Sequence, residues 1–244
     1  MSAGTQHLNW QRVIAAARSF VIHRSMDIEN DGFTTVPGVI SSLQCQELLE
    51  RLGSGSEAGR RGLLALDAIA EFARSHRMMD IIRPYLHGTP LPVRAILFDK
   101  SPDANWLVPW HQDLTIAVRE PKEACGFGPW SMKDSIPHVQ PPVALLEQMI
   151  TVRLHLDDAE GSNGALRVIP GSHRKGRLSP ESIREIRNVT PEVLCCAKKG
   201  DALLMRPLIL HASGKSTNRA HRRVLHIEYA GFALPGGLDW HPAA

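Results

Sequence analysis

Apolar and polar positions follow two different patterns along the chain, and the change falls near residue 92. Before it, apolar residues recur at helical spacing, which predicts helices at 10–23, 42–52, 66–74 and 78–86. One early strand, at 32–36, runs into a Pro-Gly turn. We expect this first part of the chain to form a helical support.

From residue 93 onward the chain carries short β-prone runs bounded by Pro, Gly, Asn and Asp. These runs are Val93–Phe98, Leu114–Val118, Met149–Leu156, Leu166–Ile169, Ala202–Met205 and Arg223–Tyr229. Such a series is typical of an antiparallel sandwich or jelly roll. The sequence therefore predicts a mainly β fold with peripheral helices. We expect one domain over 1–244, with helical support over about 1–92 and a jelly-roll core over about 93–232.

The segment from Gly126 to Pro142 is rich in proline and reads as a long irregular loop. Long loops in compact domains are often lids or binding loops. A surface excursion explains the same composition equally well, so the role of this segment stays open.

Composition narrows the functional classes. Hydrophobic residues make up 43% and charged residues 22% of the 244 positions, as in soluble globular proteins. The net charge of +3 suits a small anionic substrate but is too weak to indicate nucleic acid. The four cysteines show no zinc or disulfide spacing, which favours reduced thiols and a cytoplasmic location. The sequence contains no apolar run of about 20 residues, the length that would predict a membrane span. Residues 10–23 are expected to form an amphipathic helix rather than a signal peptide.

Two residues with metal-ligating side chains, His111 and Asp113, stand two positions apart in the run WHQD. Residues at i and i+2 of a strand point to the same face, so this imidazole and this carboxylate can converge on one ion. A motif this short also arises by chance. A metal site therefore requires a third ligand from another strand.

His211, at the end of the apolar run LIL, is the candidate for that third ligand. Two histidines and one carboxylate hold iron(II) in non-haem oxygenases and leave positions open for a bidentate cosubstrate and dioxygen. Three protein ligands also suit catalytic zinc, so both metals remain possible on the ligands alone.

A pair of arginines, Arg222 and Arg223, begins the next strand. A cosubstrate with two carboxylates needs a cation at its far end, and a guanidinium binds a carboxylate through two parallel hydrogen bonds. The hydroxyl of Ser213 can add a further hydrogen bond to the same carboxylate. These residues favour iron with a dicarboxylate cosubstrate.

Four blocks between Val108 and Tyr229 carry a family resemblance: VPWHQDLT, MITVRLHLDDAEGSNGALRVIPGSH, GDALLMRPLILHASGKSTN and RRVLHIEY. They resemble the phytanoyl-CoA dioxygenase family of iron(II)- and 2-oxoglutarate-dependent oxygenases, and NGALRVIPGSH is especially characteristic. The resemblance implies a double-stranded β-helix, a cupin-like form of jelly roll. It also implies that His111, Asp113 and His211 bind iron, with 2-oxoglutarate and dioxygen as cosubstrates.

The resemblance also points to one of the two arginines. The family's cosubstrate arginine usually lies eleven positions past the distal histidine, and 222 − 211 = 11. Ser213 matches a frequent helper hydroxyl of the family. Strand alternation places Arg222 and Arg223 on opposite faces, and the apolar character of the second face is an argument for Arg223. We expect Arg222 to bind 2-oxoglutarate.

Further candidates share one face of the predicted strand Met149–Leu156, namely Thr151, Arg153 and His155. If this face lines the barrel, we expect Thr151 to join the cosubstrate site and Arg153 and His155 to contact substrate. Strand parity alone does not tell which face is inward.

Two indoles, Trp110 and Trp130, are candidates to wall the substrate site. Aromatic residues near a jelly-roll core usually only pack, so this is the weaker part of the expected site.

The expected activity is hydroxylation of a small-molecule substrate. Related halogenases replace the metal carboxylate with a small residue, so Asp113 argues against halogenation, whereas desaturation, epimerisation and ring closure use the same ligands. The alternatives are a zinc-dependent hydrolase and a non-catalytic metal-binding cupin-like module. The sequence predicts neither the substrate nor the oligomeric state.

Overall fold

The computed structural model describes residues 26–53, 59–218 and 220–241. The helix predicted at 10–23 lies outside these ranges. Within them, no helix is both long enough and apolar enough to cross a membrane.

The described chain is built mainly of short strands. They are β1 Phe33–Val36, β2 Gly59–Arg60, β3 Leu91–Lys100, β4 Val108–His111, β5 Ile116–Ala117, β6 Trp130–Lys133, β7 Ile136–Val139, β8 Ile150–His155, β9 Leu166–Val168, β10 Val193–Cys195, β11 Ala202–Met205, β12 His211–Ser213 and β13 Arg222–Ala230. The α-helices are α1 Ser42–Leu52, α2 Asp67–Ala73, α3 His76–Ile82, α4 Val143–Leu146 and α5 Pro180–Val189.

The strands form three antiparallel sheets. The large sheet has the order β1-β11-β8-β13-β3-β2, and the small sheet has the order β10-β9-β12-β4. A third sheet, β5-β7-β6, adds a hairpin. Many strands pair with strands that are distant in the sequence, as expected of a jelly roll rather than a meander. The prediction of a mainly β jelly roll with peripheral helices is confirmed.

The two faces of the large sheet differ in chemistry because side chains alternate along each strand. On β8, Ile150, Val152 and Leu154 belong to the core that packs against α1, α2 and α3. The intervening residues of the strand are polar and also buried. The helices therefore cover the apolar face, and the polar face turns into the barrel.

The first 92 residues contribute more than helices. β1 pairs with β11 and β2 pairs with β3, so this part supplies both edges of the large sheet. The helix predicted to end at Leu86 ends at Ile82 instead. Pro84 follows within a short 3-10 turn, because proline lacks the amide hydrogen that would continue the helix.

The segment at 126–142 is more regular than we expected. It contains the hairpin of β6 and β7, in which Lys133 pairs with Ile136 across a two-residue turn. Asp134 and Ser135 both have positive φ, 49° and 61°, which matches the tight turn that suits the twist of a hairpin. The sequence signal was weak because the turn lacks the usual Asn-Gly or Asp-Gly pair.

Replacing Leu154 with alanine tests the packing of helices on the large sheet. This side chain is fully buried, so Leu154→Ala should lower the free energy of unfolding by about 2–5 kcal/mol. The matched control is Leu43→Ala, since Leu43 is 65% exposed and should change the same quantity by no more than about 0.5 kcal/mol. Urea denaturation measures both, and equal losses would contradict the proposed packing.

Candidate active site

Pairing of β12 with β4 brings three metal-ligating side chains together. His211 lies directly opposite His111, and their ring centroids are 4.2 Å apart. Asp113 follows β4, where its amide donates to the carbonyl of Pro207 at 3.0 Å. The Nε2 atoms of His111 and His211 lie 3.8 and 3.7 Å from the carboxylate oxygens of Asp113. One donor atom from each residue can thus face a common point.

The backbone orients both imidazoles. The Nδ1 atom of His111 contacts the carbonyl of Pro109 at 2.8 Å, and that of His211 contacts the carbonyl of Ile209 at 2.9 Å. This leaves Nε2 of each ring free to act as a ligand, as in metal sites where a second hydrogen bond fixes the tautomer. The Oδ2 atom of Asp113 is buried without a hydrogen-bond partner in the described chain. The three side chains fit a divalent metal.

The electrostatics favour the ligating forms. Burial raises the pKa of Asp113, but the electrostatic influence of His211, His226, His111 and Arg94 outweighs it and holds the pKa well below its usual range. Burial lowers the pKa of His211 to about 4, against the opposing effect of Asp113. A deprotonated carboxylate and a neutral imidazole are the forms that bind metal.

Gln112, between His111 and Asp113, anchors this motif. Its Nε2 donates to the carbonyls of Gly176 and Leu208 at 2.8 and 2.7 Å. Its Oε1 accepts from the amide of Leu178 at 2.9 Å. The side chain is buried and satisfied, so it ties the motif to two neighbouring loops. Sequence reasoning did not single it out.

A cavity of about 380 Å³ lies between the polar face of the large sheet and the small sheet. Its lining residues are Arg61, Arg94, Ile96, Phe98, Trp106, Val108, His111, Gln112, Asp113, Leu114, Thr115, Lys133, Arg153, Leu166, His211, Ser213, Arg222 and His226. The side chains of His111, Asp113 and His211 thus face a cavity of a size that suits small ligands.

The two arginines at the start of β13 have different surroundings. Arg222 lines the cavity, is 3% exposed, and its guanidinium makes no ion pair within the described part of the chain. Arg223 pairs instead with Asp157, with Nε 2.7 Å from a carboxylate oxygen. This placement follows the alternation of the strand. Burial, together with the nearby charge of Arg153, lowers the pKa of Arg222 to about 9.

Lys100 lies beside Arg222, its cross-strand partner, and is fully buried. Its ammonium donates to the hydroxyl of Ser213 and to the carbonyl of Gly214. Ser213 in turn donates to the carbonyl of Gly164 at 3.1 Å. Burial and the charge of Arg222 lower the pKa of Lys100 to about 7.

A polar network crosses the inner face of the large sheet. The guanidinium of Arg153 donates to Nδ1 of His226 at 3.1 Å, so Nε2 carries the hydrogen and donates to Glu228 at 3.2 Å. Arg94 pairs with the same carboxylate of Glu228. His226 and Glu228 stand two positions apart on β13 and so share one face, which was the available signal for this network.

The matched family identifies the kind of protein. The profile of the phytanoyl-CoA dioxygenase family (PhyH) matches residues 28–224, most of the chain. The chain belongs to this family. Its members are iron(II)- and 2-oxoglutarate-dependent oxygenases, so iron(II) and 2-oxoglutarate are the cofactors of its class.

Two relatives of this phytanoyl-CoA dioxygenase family protein show how far the likeness extends. A probable alpha-ketoglutarate-dependent hypophosphite dioxygenase of Stutzerimonas stutzeri is 25% identical over 211 residues, which cover 79% of this chain and 64% of the relative. The peroxisomal phytanoyl-CoA dioxygenase of Rattus norvegicus is 26% identical over 156 residues, which cover 57% and 39%. The chain therefore spans less than two thirds of either relative.

Solved structures show the same fold. EctD from S. alaskensis, with 2-oxoglutarate and 5-hydroxyectoine, has a TM-score of 0.65 at 18% identity over 84% of this chain and 73% of its own. The non-heme alpha ketoglutarate dependent epimerase SnoN from nogalamycin biosynthesis has a TM-score of 0.61 at 18% identity, over 89% and 83%.

Four of the expected site residues lie outside the cavity lining, namely Trp110, Trp130, Thr151 and His155. Trp110 is turned away from the cavity and stacks near Arg167 and Arg187, because strand alternation sends it opposite to its neighbour His111. Trp130 packs with a separate apolar cluster around β5 and β7. Neither indole lines the cavity.

The three polar residues of β8 face inward, but only Arg153 lines the cavity. Thr151 pairs with Glu228, six positions along β13 from Arg222, or roughly 20 Å at the rise of a strand. It therefore lies too far from Arg222 to share a carboxylate with it. His155 is buried, and neither ring nitrogen has a hydrogen-bond partner in the described chain.

His155 generates a prediction about stability and pH. Burial, with the charges of Arg153 and Arg222, lowers its pKa to about 3, against about 6.5 in an unfolded chain. Between these values only the unfolded chain takes up the proton, so the stability from neutral His155 is complete above pH 6.5 and is lost as the pH falls toward 3.

Urea denaturation of the metal-free protein at pH 7 and pH 5 measures this effect. The free energy of unfolding of His155→Leu should fall less over this interval than that of the wild type, by about 1–2 kcal/mol. The control His76→Leu alters an exposed histidine and should keep the wild-type dependence. An unchanged pH dependence in His155→Leu would contradict the expectation.

Proposed function

We propose that this protein is an iron(II)- and 2-oxoglutarate-dependent dioxygenase that hydroxylates a small molecule. One observation carries the proposal: the triad of His111, Asp113 and His211 faces the same cavity as Arg222, whose guanidinium makes no ion pair with any residue that the structure describes. A zinc hydrolase also needs three metal ligands, but its reaction does not require a buried guanidinium such as that of Arg222 to bind a carboxylate.

In this proposal His111, Asp113 and His211 hold the iron and leave its remaining positions open for ligands. Bound iron, 2-oxoglutarate and dioxygen supply the oxidising chemistry. In the balanced reaction, one oxygen atom of dioxygen enters the substrate C–H bond and the other enters succinate, while carbon dioxide leaves. The protein contributes binding, orientation and the exclusion of water.

Arg222 is assigned to the far carboxylate of 2-oxoglutarate. Its guanidinium is buried, so a charge-assisted pair with a carboxylate is stronger there than at the surface. Lys100 adds a second cation beside it. Ser213 already donates its proton to Gly164, so we assign it to positioning Lys100 and to accepting rather than donating hydrogen bonds at this end.

Hydroxylation is proposed in preference to the other reactions of this class. The relatives named above are a hypophosphite dioxygenase and a phytanoyl-CoA dioxygenase, and one structural neighbour is an epimerase. The metal carboxylate Asp113 is present, which argues against halogenation. Compared with desaturation, epimerisation and ring closure, hydroxylation needs the fewest protein side chains beyond those that bind the metal and the cosubstrate.

The activity test measures succinate after addition of iron(II), 2-oxoglutarate and ascorbate in air. We expect the wild-type protein to form succinate slowly without substrate and faster with one. Asp113→Ala should reduce the rate to background because it removes a metal ligand. Glu123→Ala changes an exposed carboxylate outside the cavity and serves as the control. Full activity in Asp113→Ala would refute the assigned site.

The two arginines give a matched pair of variants for cosubstrate binding. Arg222→Gln should weaken 2-oxoglutarate binding by about 2–4 kcal/mol, roughly 30- to 700-fold, because the far carboxylate loses its ionic partner. Arg223→Gln should leave this affinity unchanged, since it breaks only the pair with Asp157. Calorimetric titration of 2-oxoglutarate into the manganese(II)-loaded proteins measures both. The reverse pattern would assign the cosubstrate to Arg223.

A further inference from the structure

The cavity has two cationic ends. Lys100 and Arg222 pair across β3 and β13 at one end, and Arg94 and Glu228 pair six residues further along both strands. This separation corresponds to roughly 20 Å along the sheet. The first end is assigned above to 2-oxoglutarate, and the second end has no assigned ligand.

Lys133 supplies the second end with a further cation. It stands at the end of β6, where its ammonium donates to the hydroxyl of Thr115 at 2.9 Å. The two neighbouring arginines do have carboxylate partners, because Arg61 pairs with Asp134 at 2.8 Å and Arg94 pairs with the buried Glu228. Lys133 makes no ion pair within residues 26–53, 59–218 and 220–241.

The charge balance of the whole cavity requires a further anion. Five lining side chains are cationic and one is a carboxylate, and two of the cations are neutralised by Asp134 and Glu228. Lys133, Arg153 and Arg222 remain. Iron(II), Asp113 and doubly charged 2-oxoglutarate together contribute one negative charge, so the lining of the loaded cavity keeps about two positive charges. Lys100, beside Arg222 but not part of the lining, is not included in this count.

Burial and the nearby charges of Arg94 and Arg61 lower the pKa of Lys133. A half-buried ammonium without a counter-ion is costly, and a bound anion relieves this cost. The hairpin that had an open role in the sequence thus brings a charged group to the cavity.

We propose that the substrate is a small acid whose carboxylate or phosphonate group binds Lys133, with Arg61 beside it, at the end of the cavity opposite Arg222. This inference rests on the proposed function. A volume of about 380 Å³ lies near the lower limit of ligand cavities and has to hold 2-oxoglutarate as well, which favours a small substrate.

Binding of simple probes tests the proposal without turnover. Propionate and methylphosphonate, with propionamide as the neutral counterpart, are titrated calorimetrically into anaerobic protein loaded with manganese(II) and saturating 2-oxoglutarate, so that Arg222 is already occupied. We expect at least one anion to bind the wild-type protein and propionamide not to bind. The two anions distinguish a carboxylate site from a phosphonate site.

Variants of Lys133 test whether the anion binds at the end of the cavity opposite Arg222. Lys133→Gln should weaken the anion about tenfold or more, while its affinity for 2-oxoglutarate stays at the wild-type value. Lys133→Arg should retain most of the anion binding. Lys175→Gln removes the same charge from an exposed position outside the cavity and should change neither affinity.

The outcomes separate the two proposals. If wild-type protein binds 2-oxoglutarate but neither anion, or if Lys133→Gln binds the anion as well as wild type, the substrate inference is overturned and the proposed function stands. If wild-type protein fails to bind 2-oxoglutarate at all, the proposed function is overturned, and the inference with it.

Discussion

The pairing of β12 with β4 is the constraint on which the site depends. These strands are separated by about a hundred residues, yet their antiparallel register places His211 against His111. A slip of one residue would turn His211 to the other face of the small sheet and leave Asp113 with a single imidazole. The apolar residues before His211 are fully buried, so a slip would also expose part of the core. The packing of the sheet thus holds the ligands in register.

The large sheet meets a different requirement, because its inner face buries charges. Such groups are tolerated only when they are paired or hydrogen-bonded. Arg94, Glu228, His226 and Arg153 are joined by hydrogen bonds and an ion pair in a continuous network. Lys100 and Lys133 donate only to uncharged acceptors, and Arg222 makes no ion pair in the described part of the chain. Acidic ligands would supply the missing counter-charge. Folding therefore favours charges that are paired on this face of the sheet, whereas ligand binding requires cations that are left without a carboxylate partner.

The apolar side of this sheet provides the rigidity that the polar side needs. Residues of β8 and β13 alternate between the two faces, so the same strands that present Arg222 to the cavity also pack against the helices. The buried hydroxyl of Tyr229 donates to the carbonyl of Ala73 at 3.0 Å and links β13 to α2. A strand held in this way presents its polar residues in a fixed order.

Much of this could be predicted from the sequence, since strand runs, His111, Asp113, His211 and the choice of Arg222 follow from local spacing and from family-like blocks. Period-two alternation is a local property, so it separates Arg222 from Arg223 without coordinates. The same reasoning did not show that Trp110 points outward, although alternation with His111 was available to indicate it.

Only the tertiary structure decided which distant residues share the cavity. Lys133 comes from β6, whereas Arg94 and Lys100 come from β3, and no spacing in the chain relates Lys133 to the other two. Thr151 faces inward, which strand parity had left open, but it lies beside Glu228, far from Arg222. The physical reason is that strand order and register are set by packing between remote segments, whereas the sequence pattern reports only the local alternation of faces.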